Sequence, residues 1–227
     1  MNMENREEKK MGKYSKTIFK IVMSGALIAI GWVLPFLTGQ IKEIGAMLSP
    51  MHLPVFFGGF LVGPVYALVI GIVLPITRSL IFGMPVLFPG AVCMGVEMGC
   101  YGFITGFLFK VLVNIFKNKE DNTITNGKLF ISIYVALVSA MLLGRAVWGL
   151  ARMLCAFLPD AKAFPMTAFI SGAFINAWPG IILQLILIPA IVFAMRKYVL
   201  KQVLKNKDDN AESYDNAESY KKEEVEA

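Results

Sequence analysis

One stretch, residues 50–102, limits the possible folds of this chain more than any other. It is apolar along its length, and turn-forming Gly and Pro residues at 63–64 and 83–85 divide it into runs. Two charged residues, Arg78 and Glu97, lie inside the runs. A charge at the centre of a membrane helix costs about 2.5–3.5 kcal/mol on insertion scales, so such residues generally mark a functional site. We therefore expect this stretch to form one wall of a polar site inside a membrane protein.

The composition agrees with a membrane location. Hydrophobic residues make up 56% of the 227 residues, and the mean hydropathy is +0.63. These values predict one polytopic membrane domain, 17–195, between a cytoplasmic N-terminal segment, 1–16, and a charged tail, 196–227, that we expect to be disordered. The net charge of +6 does not indicate nucleic acid as a partner, because the basic residues flank apolar spans.

Six apolar segments predict an all-α fold with six transmembrane helices in the lipid bilayer. Their predicted bounds are 17–37, 51–63, 64–82, 86–109, 129–155 and 165–195. Residues 51–82 are few for two full spans of about 20 residues each, so we expect the second span to be short, kinked or shielded. Pro179 and Pro189 predict kinks in the sixth span. The polar loop 38–50 is long enough to act as a lid.

The basic residues predict that both termini lie on the cytoplasmic side of a bacterial cell membrane. Seventeen Lys and Arg residues fall in segments 1–20, 110–128 and 196–227, whereas the loops on the opposite side carry only Lys42 and Lys162. An excess of Lys and Arg is typical of cytoplasmic loops.

A set of polar and aromatic residues converges on the outward half of the predicted bundle. The candidate substrate-binding residues are His52, Arg78, Glu97, Tyr101, Arg145, Trp148 and Asn176. Arg145, Trp148 and Arg152 share one helix face by their spacing. Simpler explanations stay open: Arg152 can extend to the lipid headgroups, and Arg78 can form a structural ion pair with Glu97.

The charge balance of this set predicts an anionic ligand. Three arginines face one intramembrane acid, Glu97, and no second acid is available to Arg145. A carboxylate matches the forked donors of a guanidinium group, so we expect a small carboxylate to bind Arg145.

The residues disfavour a metal centre, a cofactor or an enzyme. His52 and the three cysteines, Cys93, Cys100 and Cys155, lack the spacing of metal ligands, so we predict neither a metal nor a cofactor. An intramembrane protease needs a Ser–His pair, paired acids or zinc ligands, and the single His52 and single intramembrane acid Glu97 make such a site unfavourable. The sequence also contains no Walker A motif, so we do not expect it to bind ATP. Two alternatives stay open: a proton-coupled or facilitative transporter with Glu97 as proton carrier, and a structural membrane subunit.

Two motifs carry a resemblance to a known family. LSPMHLPVFFGGFLVGPVYALVIGIVLPITRSLIFGMP at 48–85 and GVEMGCYGFITG at 95–106 resemble the substrate-binding S components of energy-coupling factor (ECF) vitamin transporters. The resemblance covers about 17–195 and is most similar to the pantothenate-type group. It implies a vitamin-binding subunit without an ATPase, which docks onto a transmembrane coupling protein and two cytoplasmic ATPases and tips over in the membrane. Folate, riboflavin, hydroxymethylpyrimidine and α-ribazole stay open as ligands.

The same resemblance implies a docking surface on the first span. Its small residues are Gly25, Ala26 and Ala29, and the Ala-xxx-Ala pattern of the family is present here as Gly25-xxx-Ala29. Small residues let another helix approach closely. The spacing alone is equally compatible with packing inside the bundle.

Overall fold

The computed structural model describes residues 3–38, 47–118, 123–157, 165–200 and 203. Within these residues all regular structure is helical, which confirms the predicted all-α class for this part of the chain. The main helices are α1 (Met3–Val33), α2 (His52–Leu61), α3 (Pro64–Phe82), α4 (Val92–Phe116), α5 (Asn126–Cys155), α6 (Met166–Ile170) and α7 (Trp178–Ala194). Residues 196–200 are helical as well. A 3-10 turn, Leu34–Thr38, follows α1, and π-helical turns, Leu87–Ala91 and Ser171–Ile175, precede α4 and follow α6.

Four helical segments in the described residues are long and apolar enough to cross a bilayer. They are Tyr14–Leu37, Pro64–Phe82, Leu87–Phe116 and Asn126–Cys155, at the positions of the first, third, fourth and fifth predicted spans. Two apolar helices, α2 and α7, are shorter. The ten residues of α2 extend about 15 Å, half of a bilayer core, so the expected short second helix is present. Six complete spans and the side of the termini stay predictions.

The fourth span is longer than predicted. It continues to Phe116, whereas the sequence led us to end it at residue 109 and to begin a loop at Lys110. One lysine does not terminate a helix, because its aliphatic stem can lie along the apolar surface while the ammonium group reaches water.

The sixth predicted segment, 165–195, is not one continuous helix. The helical pattern is interrupted just before Trp178, and Pro179 lies in the first turn of α7. Proline is favourable there, because the missing N–H would have no partner within the helix. Pro179 therefore lies in the first turn of a helix that follows an interruption, close to the position of the predicted kink, and Pro189 lies inside α7.

Three predicted segments lie largely or partly outside the described residues. They are the lid loop 38–50, the loop 156–164 and the tail 196–227. The described end of the lid loop contacts the start of α7, where a Cβ atom at Gly180 would lie 2.5 Å from Met47 O and 2.8 Å from Leu48 O.

Helix α4 packs along α3, α5 and α2, and glycines allow its close approach to α3. A Cβ atom at Gly102 would lie 2.5 Å from the carbonyl oxygen of Ala67, and one at Gly71 would overlap the backbone of Met98 and Gly99. Close backbone approach through small residues is a common mode of helix packing in membranes. The α3–α4 contact therefore holds Arg78 and Glu97, one on each helix, in fixed positions.

We expect Gly102→Ala to destabilise the protein by about 1–3 kcal/mol, because the added methyl group forces α3 and α4 apart. The matched control is Gly25→Ala in α1, where a Cβ atom would meet nothing within 4 Å. Thermal unfolding in detergent measures both. Equal melting temperatures for the two variants would contradict the tight α3–α4 contact.

Candidate functional site

A buried ion pair joins α4 to α5. Arg145 Nη1 lies 3.0 Å from Glu97 Oε1, and the two side chains are 13% and 2% exposed. Tyr101, one turn after Glu97, donates its hydroxyl to the same carboxylate oxygen at 2.6 Å. Taking a charge out of water costs several kcal/mol, so a buried charge requires partners that replace the lost hydration. Glu97 receives two such partners.

Tyr101 lies where α2, α4 and α5 meet. Its buried ring stacks on Phe56 at a centroid distance of 4.8 Å and lies 5.4 Å from the His52 ring. On α5, Gly144 leaves room for this ring, since a Cβ atom at 144 would overlap it. Aromatic contacts of this kind fix a ring in one orientation, and here they direct the Tyr101 hydroxyl to Glu97.

His52 adds a polar atom to the cluster. The side chain is 3% exposed, and its Nδ1 lies 3.2 Å from the carbonyl oxygen of Ser49. A carbonyl oxygen only accepts hydrogen bonds, so Nδ1 carries the proton and Nε2 of the neutral ring is an acceptor. Nε2 is buried and has no hydrogen-bond partner among the described residues. This atom is therefore available to accept a hydrogen bond from a donor.

Arg78 lies against α1. Its Nη1 donates to the carbonyl oxygen of Trp32, and its guanidinium carbon lies 5.4 and 5.1 Å from the ring centroids of Phe36 and Phe82. Trp32 in turn donates its indole N–H to Thr77 Oγ1 at 3.1 Å. A carbonyl group and two aromatic faces therefore stabilise this buried cation and tie α3 to α1.

The assignment of charge partners from the sequence is wrong. We expected Arg145 to lack an acid and allowed Glu97 to pair with Arg78, whereas Glu97 pairs with Arg145. The physical reason is the rotation of α4, which directs Glu97 toward α5 and which spacing along one helix does not determine. A role for Arg78 in the same substrate site stays a prediction.

The apolar helices and this buried polar cluster are typical of a membrane-embedded binding protein. A comparison with protein families identifies the family. Residues 19–192 match the family model described as ECF transporter, substrate-specific component. The chain belongs to this family. No curated protein and no solved structure matches the chain. S components bind small substrates and work with a membrane coupling protein and ATPases, and theirs is not an enzyme family. The pantothenate-type group stays a prediction.

The small residues on α1 of this S component face away from its own bundle. Gly25, Ala26 and Ala29 are exposed, whereas Leu27 is 3% exposed. A Cβ atom at Gly25 would meet nothing within 4 Å. The described residues therefore leave this surface uncovered, and packing against them does not account for its small side chains.

Two further predicted site residues of the S component are Trp148 on α5 and Asn176 just before α7. The Trp148 ring stacks on Phe169 at a centroid distance of 6.1 Å. Asn176 is exposed and donates to Ser171 Oγ at 3.2 Å, so its side chain lies outside the buried cluster. Their roles in substrate binding stay predictions.

A cysteine contact between α4 and α5 was not expected from the sequence. Cys93 Sγ and Cys155 Sγ lie 3.4 Å apart, and Cys93 precedes Glu97 by one turn. The sequence spacing places Cys93 and Cys100 on one helix face, because they are seven residues apart. It gives no information about the position of Cys155. Contacts between distant segments give no such signal.

We expect copper–phenanthroline oxidation to join Cys93 and Cys155 within one chain, since their sulfur atoms need to move by little more than 1 Å to reach bonding distance. Peptide mass spectrometry after digestion identifies the link. Cys100→Ser should leave the link unchanged, and Cys93→Ser should abolish it. A dominant link through Cys100 would contradict the helix packing described here.

Proposed function

We propose that this S component captures a small vitamin or vitamin precursor from the outer side of the membrane. It then delivers the ligand inward together with a transmembrane coupling protein and two cytoplasmic ATPases. The observation that carries the proposal is the buried Glu97–Arg145 pair beside an unsatisfied His52 Nε2. The ion pair and the open acceptor position lie together at the junction of α2, α4 and α5, where they support binding of a polar ligand.

The proposed orientation places this cluster in the outward half. Both termini face the cytoplasm, as the distribution of Lys and Arg predicts. With that orientation the α2–α3 turn lies inside, and His52 at the start of α2 lies toward the outside. The lid function of loop 38–50 belongs to the same proposal.

We propose pantothenate, or another small carboxylate with hydroxyl or amide donors, as the substrate. The carboxylate would bind the N–H groups of Arg145 that do not face Glu97, and a ligand hydroxyl would donate to His52 Nε2. Glu97 already balances the charge of Arg145. The argument for a carboxylate therefore rests on the geometry of the guanidinium donors and no longer on an uncompensated charge.

Two measurements on the full chain test the proposal. Mass spectrometry of the purified protein in detergent identifies a ligand that co-purifies, and isothermal titration compares pantothenate, folate, riboflavin, hydroxymethylpyrimidine and α-ribazole. We expect one of them to bind with a dissociation constant below about 1 μM. Tight binding of a neutral compound with no binding of pantothenate would reject the carboxylate and keep the S-component function.

The transport mode needs a separate test. Uptake by cells that contain the coupling protein and ATPases should stop when an ATPase is inactivated and should persist when the protonmotive force is collapsed. The reverse result would favour a proton-coupled transporter that uses Glu97.

A further inference from the structure

A cavity lies at the other end of the bundle from the Glu97 cluster. Its volume is about 200 Å³, and it lies where α1, the α2–α3 turn and α4 meet. Gly106, which lines it, follows Glu97 by nine residues on α4, or about 13 Å along the helix axis. The cavity is therefore distinct from the proposed substrate site, and only its orientation in the membrane is taken from the proposed function.

Two lysines give this cavity a positive charge. Lys20 of α1 and Lys110 of α4 line it and are partly buried. The Lys20 ammonium lies 5.7 Å from the centroid of the Tyr66 ring, which also lines the cavity. No acidic residue occurs among the described residues that line it. Two cations in one cavity without an acid attract an anion.

The start of α3 lines the same cavity. The first hydrogen bond within α3 joins Ala67 N–H to the carbonyl oxygen of Gly63 at 3.0 Å. The N–H groups of Val65 and Tyr66 precede that bond, both residues line the cavity, and no side chain caps this end of α3. Free N–H groups at a helix start carry partial positive charge and are a common binding site for phosphate.

We propose that this cavity binds a phosphate group, supplied by an anionic phospholipid headgroup or by free inorganic phosphate. The lysine ammonium groups and the backbone N–H groups of Val65 and Tyr66 are its donors. In the proposed orientation the cavity opens at the cytoplasmic surface, where anionic lipids are concentrated and where basic pockets between helices bind their headgroups.

Native mass spectrometry of the full chain in detergent tests the proposal, with phosphatidylglycerol and phosphatidylcholine as probes. The test variant is Lys20→Gln/Lys110→Gln. The matched control is Lys128→Gln/Lys197→Gln, which removes two exposed lysines at the same end of the bundle. We expect phosphatidylglycerol to bind more tightly than phosphatidylcholine. The test variant should bind it about 30-fold more weakly, and the control less than about threefold more weakly.

Two additional experiments identify the source of the phosphate and keep the test valid if the double variant misfolds. Displacement of phosphatidylglycerol by millimolar inorganic phosphate assigns free phosphate as a ligand, and its failure to compete assigns the lipid headgroup. If the double variant is poorly folded, Lys110→Gln alone should still weaken binding about fivefold.

Three results would overturn the proposal. The first is an equal loss of affinity in the test and control variants, which would show a general charge effect. The second is equal binding of the two lipids. The third is binding of phosphatidylglycerol only after the acidic residues of 208–218 are changed to Asn or Gln in the full chain. That result would make the protein's own tail the occupant of the cavity.

Discussion

Arg145→Ala is expected to weaken binding of the substrate by about 100-fold or more and to lower the free energy of unfolding by about 3–5 kcal/mol. Glu97, 2% exposed, would keep its Tyr101 hydrogen bond but lose its cationic partner. The proposed carboxylate of the ligand would lose its guanidinium partner as well. Isothermal titration with the identified ligand measures the first effect, and thermal unfolding in detergent measures the second.

A second variant separates the two effects. Glu97→Gln/Arg145→Gln removes both charges and leaves no unpaired buried charge, so most of the lost stability should return, because neutral replacements of a buried pair are often tolerated. Binding should stay weak, because the guanidinium group is still missing. If this double variant binds the ligand like the unmodified protein, the ion pair has only a structural role.

Arg78→Gln provides the comparison for the other buried arginine. Arg78 contacts Trp32, Phe36 and Phe82, so its loss should destabilise the contact between α1 and α3. If Arg78 also belongs to the substrate site, its loss should weaken binding as well. An affinity within about threefold of the original would remove Arg78 from the site.

Gly25→Leu and Ala29→Leu are each expected to lower uptake about tenfold or more while substrate binding changes less than about twofold. Both residues are exposed on α1. Only 11% of the most apolar 18-residue stretch of the first span, Tyr14–Leu37, is buried. A leucine side chain there has room within the S component itself but would hold a partner helix away. Uptake by cells with intact ATPases and titration of the purified protein measure the two properties.

Ala190→Leu is the control for these docking variants. Ala190 is exposed on α7, so the substitution adds the same volume as Ala29→Leu to a different apolar surface. Normal uptake by this control and reduced uptake by the α1 variants would support docking through α1. Normal uptake by all three variants would show that the coupling protein binds elsewhere on the S component.

Local sequence patterns predicted the bounds of α3 and a contact within α4, although they missed the end of α4 and the break before α7. The start of α3 at Pro64 follows the Gly-Pro turn, and its end at Phe82 precedes Gly83. The hydrogen bond from Tyr101 to Glu97 joins residues four apart, and helical spacing predicts that contact directly. Helix formation and contacts one turn apart depend on neighbouring residues, so one sequence contains the information they need.

Only the tertiary structure decided which distant residues meet. It paired Glu97 with Arg145, placed Arg78 on the backbone of α1, and brought Cys93 to Cys155 across 62 positions. Each of these contacts depends on how far one helix is rotated about its axis relative to the next. Glycine contacts such as Gly102 against Ala67 set that rotation, and the energy of such packing comes from two surfaces together. The spacing of residues along either helix alone does not contain it.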